Sequence, residues 1–401
     1  MIVALFSDEV PTGRSTGGWL RELTDDGIPA GPARWVCDLP GAVRASSSAQ
    51  RGRGLRWLWP SSRDHYAQLA RSGVRLARCH DVELSEALLL ASAGRWGEPR
   101  SLAAAFARVR GAPVPPDPQP RQQRPTDRAQ RGLFELPPAG SAPAAGQGPA
   151  QHGIAGLDAL VRVYADQRAR CAAAAEPGRL RMLLAAESAA GLAAVEMGLD
   201  GLPFRTDIHE TVLRELLGAP SRVGGPPRRL AELTERIVEA FEGQRPNPDS
   251  PAELLRAFSK VGIALPSTRA QVLRQVDHPV VPLLLEYKEL YRVWTAHGWT
   301  WRQQWVRDGR CHPEYVAGGV PSGRWATRGG GALQIPKPIR RAVVADPGWV
   351  LVVADAGQLE PRVLAAVSAD EGLIRAAAAG DLYAALAGES FGSDRAAAKL
   401  A

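Results

Sequence analysis

The sequence predicts an α+β chain of more than one domain, and three observations carry that prediction. Residues 1–111 alternate short β-like runs with helical ones. Residues 112–152 then hold ten of the 33 prolines, a composition that buries too little surface to offset chain entropy. After that break the apolar residues recur at helical spacing as far as about residue 307, before a Gly-rich basic loop and one unbroken apolar run, WVLVVA at 349–354.

The first region gives strands at 34–38 (RWVCD), 55–59 (LRWLW) and 74–79 (VRLARC). Between and after them, 62–72 and 83–92 read as helices, the first with Ser61 or Ser62 as N-cap. Strand, helix, strand, helix describes an α/β domain over 1–111. Residues 112–152 read as a disordered linker. Helices are expected at 154–175, 179–197, 207–217, 227–242, 251–262, 267–275 and 279–306. PNPDSP at 246–251 supplies an N-cap and a proline near the first helical position of the fifth. Trp294, Trp299, Trp301 and Trp305 sit at mostly helical spacing, which favours core packing over base stacking. The run at 349–354 has the pattern of a buried strand, and Asp355 follows it. A helix is expected from Pro361, then one opened by a capping box from Ser368 to Glu371 and closed by Gly380, then shorter helical pieces from Asp381 and Ser393.

Composition excludes several classes of protein. Of 401 residues, 45% are apolar and 23% charged, which rules out global disorder. The 49 basic residues comprise only four lysines, so much of the net charge of +7 reflects arginine usage rather than a dedicated polyanion surface. Cys37, Cys79, Cys171 and Cys311 form no CxxC pair, which points to a reducing, cytoplasmic compartment. No apolar run approaches membrane-spanning length, so no membrane partner is expected. MIVALFSDEV lacks the basic start of a signal peptide.

Chemistry concentrates in VVADAGQLEPRVLAAVSAD. A carboxylate at the end of a buried strand is rigidly held and flanked by apolar residues, a good position for a metal ligand, although an Asp after a strand is also a common turn former. Glu360, just before Pro361, would sit at a helix N-terminus, where negative charge is favoured. Arg395 and Lys399 lie four apart and share one helix face. The stretch 321–345 carries Arg324, Arg328, Lys337, Arg340 and Arg341 and no acid, interleaved with glycine, which suits close approach to a phosphate backbone.

DAGQLEPRVLAAVSAD resembles motif A of the DNA polymerase I family (family A), D-Y-S-Q-I-E-L-R-V-L-A-H-L-S. PSGRWATRGGGALQIPKPIRRAVVADPGWVLVVAD is similar to the family's T-G-R-L-S-S…N-L-Q-N-I-P…G-R-x-I-R-x-A-F-V…G-x-x-L-x-x-A-D run. GDLYAALA resembles D-[IL]-H-T-x-T-A, and SDRAAAKLA resembles the R-x-x-x-K start of motif B. Upstream, PNPDSPAELLRAFSKVGI and EYKELYRVW resemble thumb segments. The resemblance runs over residues 197–401 and is densest over 321–399.

That resemblance implies a helical thumb with connecting helices at 153–320, and at 321–401 the start of an antiparallel-sheet palm with the first residues of the fingers helix. It implies template-directed DNA polymerisation, with primer-template DNA and deoxynucleoside triphosphates as partners, two Mg²⁺ ions as cofactors and a monomeric enzyme. Asp355 would be the catalytic carboxylate and ligate both ions, with the Ala356 carbonyl on one of them. Gln358, Glu360, Arg395 and Lys399 would contact the nucleotide. Arg324, Gln334, Arg340 and Arg341 would contact template and primer, and Asn247, Ser250, Lys288 and Arg292 the duplex phosphates.

The pattern also breaks. Ala356 and Gly357 stand where the family has Tyr and Ser, LQIP lacks the family Asn, and Tyr383 replaces a His. The aromatic residue of motif B and the second carboxylate of motif C are not found, so the chain reads as part of a polymerase that cannot extend primers alone. The alternative is a non-catalytic DNA-binding fragment. Residues 1–111 stand where the family carries a 3′→5′ exonuclease domain of RNase H-like fold. Asp8-Glu9 is not the required D-x-E, Asp81-x-Glu83 leads into a helix and reads as an N-cap, and Arg168 stands where Y-x-x-x-D from Tyr164 needs an acid. An inactive exonuclease-like domain is therefore expected, and an active 3′→5′ exonuclease is the less favoured alternative.

Overall fold

In a computed structural model, the structure describes residues 1–7, 17–49, 54–118, 149–221, 224–320, 322–390 and 392–400. Asp8, Glu9 and most of the 112–152 linker lie outside the described residues. Two compact units form, Met1–Val344 and Ala345–Ala401.

The first unit begins with a five-stranded sheet. β1 (Ile2–Phe6), β2 (Gly18–Leu23) and β3 (Arg34–Val36) form an antiparallel meander. After α1 (Leu39–Ala49), β4 (Arg56–Trp59) pairs parallel to β1. A π-turn at Ser62–Tyr66 and α2 (Ala67–Arg71) lead to β5 (Cys79–Asp81), parallel to β4. The order is β3-β2-β1-β4-β5. The strand expected at 74–79 begins only at Cys79, as β5, because the Leu76 amide donates to the Tyr66 hydroxyl (3.2 Å) instead of a ladder. α3 (Val82–Ser92) and α4 (Leu102–Val109) follow.

Two long helices then close the sheet. α5 (Pro149–Ala172) buries Leu157, Leu160, Val163 and Tyr164 against Ile2, Ala4 and Leu58. α6 (Pro177–Asp200) places Leu192 with Val3, Leu5, Trp57 and Trp59 on the opposite face. Alternate residues of β1 thus feed two cores, as the two-residue strand period requires. The sheet's packing therefore extends to residue 200, past the 111 suggested by sequence, because a central strand buried on both faces needs a helix on each. α6 is also long and apolar enough to cross a membrane by length and composition, contrary to the sequence expectation.

α7 (Thr206–Leu217), α8 (Arg228–Ala240), α9 (Pro251–Lys260), α10 (Ala270–Leu273), α11 (Val280–His297) and α12 (Trp299–Trp305) build a separate core. Leu213, Leu230, Ile237, Phe241, Phe258, Leu284 and Trp301 occupy it. Trp294, Trp299 and Trp305 pack on it, so the tryptophans serve packing. The expected single helix over 279–306 breaks at Gly298, where a Cβ would lie 2.1 Å from the Trp294 carbonyl oxygen. Short strands complete the unit: β6 (Leu202–Pro203), β7 (Val306–Arg307) and β8 (Arg310–Cys311) in one sheet, β9 (Tyr315–Val316) and β10 (Ala326–Thr327) in another.

The second unit is helical: α13 (Leu359–Ser368), α14 (Glu371–Ala378), α15 (Leu382–Ser390) and α16 (Arg395–Leu400). Here the sequence expectation of a buried palm strand fails. Residues 349–354 are irregular, and Val352 and Val353 are 87% and 92% exposed. A strand needs a hydrogen-bonding neighbour, and none of the described residues of 345–401 is a strand. The expected capping box is also corrected: Ser368 ends α13, Ala369 turns left-handed (φ +54°), and Asp370 caps α14 by accepting from the Leu373 amide at 2.7 Å.

Candidate functional site

The nucleotide-side candidates lie in the second unit, where Asp381 joins two of them, Gln358 and Arg395. Its Oδ1 accepts from Gln358 Nε2 (2.6 Å) and from the Ala384 amide (3.1 Å), while its Oδ2 accepts from Arg395 Nε (2.8 Å). Gln358 Oε1 in turn accepts from the Leu382 amide at 2.8 Å. Gln358 has left-handed backbone (φ +56°), which costs a non-glycine residue roughly 1 kcal/mol; its two side-chain bonds hold it there. Arg395 lies over the Tyr383 ring, 5.8 Å from its centroid. The Arg395 hydrogen bond holds the Asp381 carboxyl down at about 2. Lys399 is exposed one turn further along α16.

Asp355 and Ala356 are exposed in the irregular segment ahead of α13, and Glu360 is exposed in its first turn. Arg362, given no role by the sequence reading, donates to the Gly357 carbonyl (3.1 Å), the Ala377 carbonyl (2.7 Å) and the Gly380 carbonyl, tying the loop after Asp355 to the end of α14. Asp381 and Arg362 occupy the D of D-[IL]-H-T and the R of motif A, so the signal that could have found them was already in the quoted motifs.

In the first unit, the basic loop is built on the helical core. Gly329, Gly330 and Gly331 all have positive φ. Trp301 Nε1 donates to the Gly330 carbonyl at 3.0 Å, and a Cβ on Gly329 would lie 2.3 Å from the Trp305 ring. The loop's charge is partly neutralised. Arg341 pairs with Glu215 at 2.8 Å, Arg328 approaches Glu314 at 3.7 Å, and Arg340 Nε holds the Ile335 carbonyl at 2.9 Å. Burial, with Arg63 nearby, also lowers the Arg328 pKa. Arg324, Gln334 and Lys337 are exposed.

The thumb candidates share one neighbourhood. Ser250 caps α9, accepting from the Glu253 amide at 3.3 Å, and Asn247 Oδ1 accepts from the Asp249 amide at 3.0 Å. Asp249 accepts from the Tyr287 hydroxyl at 3.2 Å, which brings this segment to α11 beside Lys288. Lys288 reaches Thr268 Oγ1 at 3.4 Å; burial lowers its pKa and the Asp249 charge opposes that. Arg292 is exposed one turn on. Asp249, an acid among these residues, was missed by sequence reasoning.

In the α/β body, Asp81 is consumed as a cap: it accepts from the Leu84 amide (3.0 Å) and the Ser62 amide (2.6 Å). Glu83 faces Arg100 at 3.5 Å and Arg63 at 3.9 Å. Arg168 lies over the Tyr164 ring and pairs with Asp26 at 3.5 Å. Among the described residues, no three His, Cys, Asp or Glu side chains gather to hold a metal ion. The described residues therefore do not fit a two-magnesium centre; Asp355 offers one carboxylate.

Residues 226–399 match the family model for DNA polymerase family A. That segment is similar to the family over somewhat less than half of the chain. DNA polymerase I of Chloroflexus aurantiacus is 31% identical over 196 residues, which are 41% of this chain and 20% of that protein. The thermostable DNA polymerase I of Thermus thermophilus is 36% identical over 144 residues, 31% of this chain and 16% of that protein. The chain thus spans about a fifth of the length of the curated relatives it matches. The POL domain of Pol1 from M. smegmatis, in complex with DNA primer-template and dNTP, matches with a TM-score of 0.67 at 18% identity, over 99% of this chain and 66% of that one. At that identity the likeness is one of fold.

Proposed function

We propose that this chain is the duplex-binding and nucleotide-binding part of a template-directed DNA polymerase that acts in replication or repair. The observation that carries the reading is the family A match over 226–399, which contains the motif run at 321–399 in order. In this reading Arg324, Gln334, Arg340 and Arg341, with Asn247, Ser250, Lys288 and Arg292, engage the backbones of primer and template. Gln358, Glu360, Arg395 and Lys399 receive the deoxynucleoside triphosphate, and Arg395 and Lys399 act as fork and point charge on its phosphates. The sheet order β3-β2-β1-β4-β5, with an antiparallel meander followed by two parallel strands, supports an RNase H-like reading of the N-terminal body. The scattered spacing of Cys37, Cys79, Cys171 and Cys311, with no CxxC pair, supports a reducing, cytoplasmic setting, and we take the working species to be a monomer.

A non-catalytic duplex-binding role for the chain by itself is the second reading. It is favoured by the lack, among the described residues, of a cluster of three or more His, Cys, Asp or Glu side chains.

Both readings share one experiment. Binding of the 401-residue chain to a primer-template duplex should weaken about a hundredfold between 50 and 200 mM salt, as expected for four or so phosphate contacts. Primer extension with Mg²⁺ should be absent. Affinity indifferent to salt would sink the duplex-binding reading, and extension would show that the metal centre is more complete than Asp355 alone.

A further inference from the structure

The Asp381 cluster has a charge problem that the nucleotide-binding reading leaves open. Arg395, assigned to a triphosphate, already has an anion: its Nε meets Asp381 Oδ2 at 2.8 Å. Both side chains keep substantial exposure, 53% for Arg395 and 41% for Asp381, so the pair forms and breaks in water. Exposed pairs of this kind are worth a factor of about two to five in an equilibrium constant. A triphosphate carries several negative charges and can take the guanidinium by two parallel bonds, so it outcompetes one carboxylate oxygen. The Tyr383 ring beneath Arg395 and the Asp381 pairing together hold the fork in one orientation before a ligand arrives.

We propose that Asp381 is the resident counter-anion of Arg395, a positioning residue that holds the guanidinium and is displaced from it by the phosphate chain of an incoming nucleotide. This inference rests on the reading of Arg395 as a phosphate ligand. Displacement leaves Asp381 Oδ1 on Gln358 Nε2 and the Ala384 amide, so Gln358 keeps its place while Arg395 changes partner. One carboxylate therefore serves two purposes: Oδ1 fixes the pocket and Oδ2 occupies the cation until substrate competes for it.

The test is a double-mutant cycle read by calorimetric titration of the full 401-residue chain with inorganic tripolyphosphate at low salt. Asp381→Asn keeps an acceptor oxygen for Gln358 and Ala384 but removes the charge. Asp381→Ser, a good helix cap, is the second variant should the first fold poorly. Either should bind tripolyphosphate about two- to fivefold more tightly than the parent, and the gain should vanish in an Arg395→Ala background. An equal gain in both backgrounds would mean that Asp381 only repels the ligand through space, and no gain would mean that it does not compete; each overturns the proposal. If Arg395→Ala alone binds as the parent does, the phosphate reading of Arg395 fails first, and the counter-anion role goes with it.

Discussion

Asp81 shows how one residue type can be read two ways and settled by its donors. As part of a D-x-E it could have been a metal ligand; two backbone amides and near-complete burial make it a structural cap. Burial pushes its carboxyl from the ordinary 3.8 up to about 6. The folded state therefore holds this proton more tightly than the unfolded chain does. Its stabilising contribution is complete below about pH 4 and is lost as pH rises to about 6. At about 1.4 kcal/mol per unit, the loss is roughly 3 kcal/mol. Chemical denaturation at pH 4 and at pH 6.5 should show the parent losing about that much more stability than Asp81→Asn. Identical slopes would mean that the two amide bonds cancel the burial.

Elements depend on a few backbone positions that admit no side chain. The basic loop turns at Gly330 with φ +69°, and a Cβ there would lie 2.7 Å from Pro313 Cβ and 2.8 Å from Pro313 Cα. Gly330→Ala should cost about 2–4 kcal/mol in urea denaturation, summing left-handed strain and overpacking. It should also weaken duplex binding, because Arg324 and Gln334 lie on either side of the turn. Gly309 also has positive φ (+72°), but nothing lies within 4 Å of its added Cβ. Gly309→Ala should therefore cost only about 1 kcal/mol. Equal losses at the two positions would remove the packing argument for the loop's placement against Pro313.

Across the first unit, the α/β body supports the strands that precede the basic loop. His312 Nδ1 meets the Gly198 carbonyl at 3.1 Å at the end of α6, and Arg310 donates to the Gly201 carbonyl at 3.1 Å. Arg63, Glu83, Arg100, Glu314 and Arg328 influence one another electrostatically across the same junction. Glu83, which the D-x-E reading would spend on a metal, faces Arg100 and Arg63 instead. Incubating the full chain with single-stranded DNA and Mg²⁺ should yield no 3′→5′ digestion; steady trimming from the 3′ end would restore the nuclease reading.

By itself the sequence determined what is local. Helical periodicity placed α5 through α9 to within a few residues at most ends, Ser250 with Pro251 marked the start of α9, and the ordered motifs over 321–399 carried the family. Three matters needed the tertiary structure. The apolar run at 349–354 looked like a buried strand because composition reports what a segment can bury, not whether a neighbour is present to pair with it. α5 and α6 fell outside the α/β domain because their periodicity does not say which sheet they cover. Arg395 and Asp381 are 14 residues apart, with nothing in their spacing to mark an ion pair. Only the turn from Gln358 through α14 to α15 brings Asp381 between Gln358 and Arg395, and that proximity turns two unremarkable motif positions into a charge that a substrate has to displace.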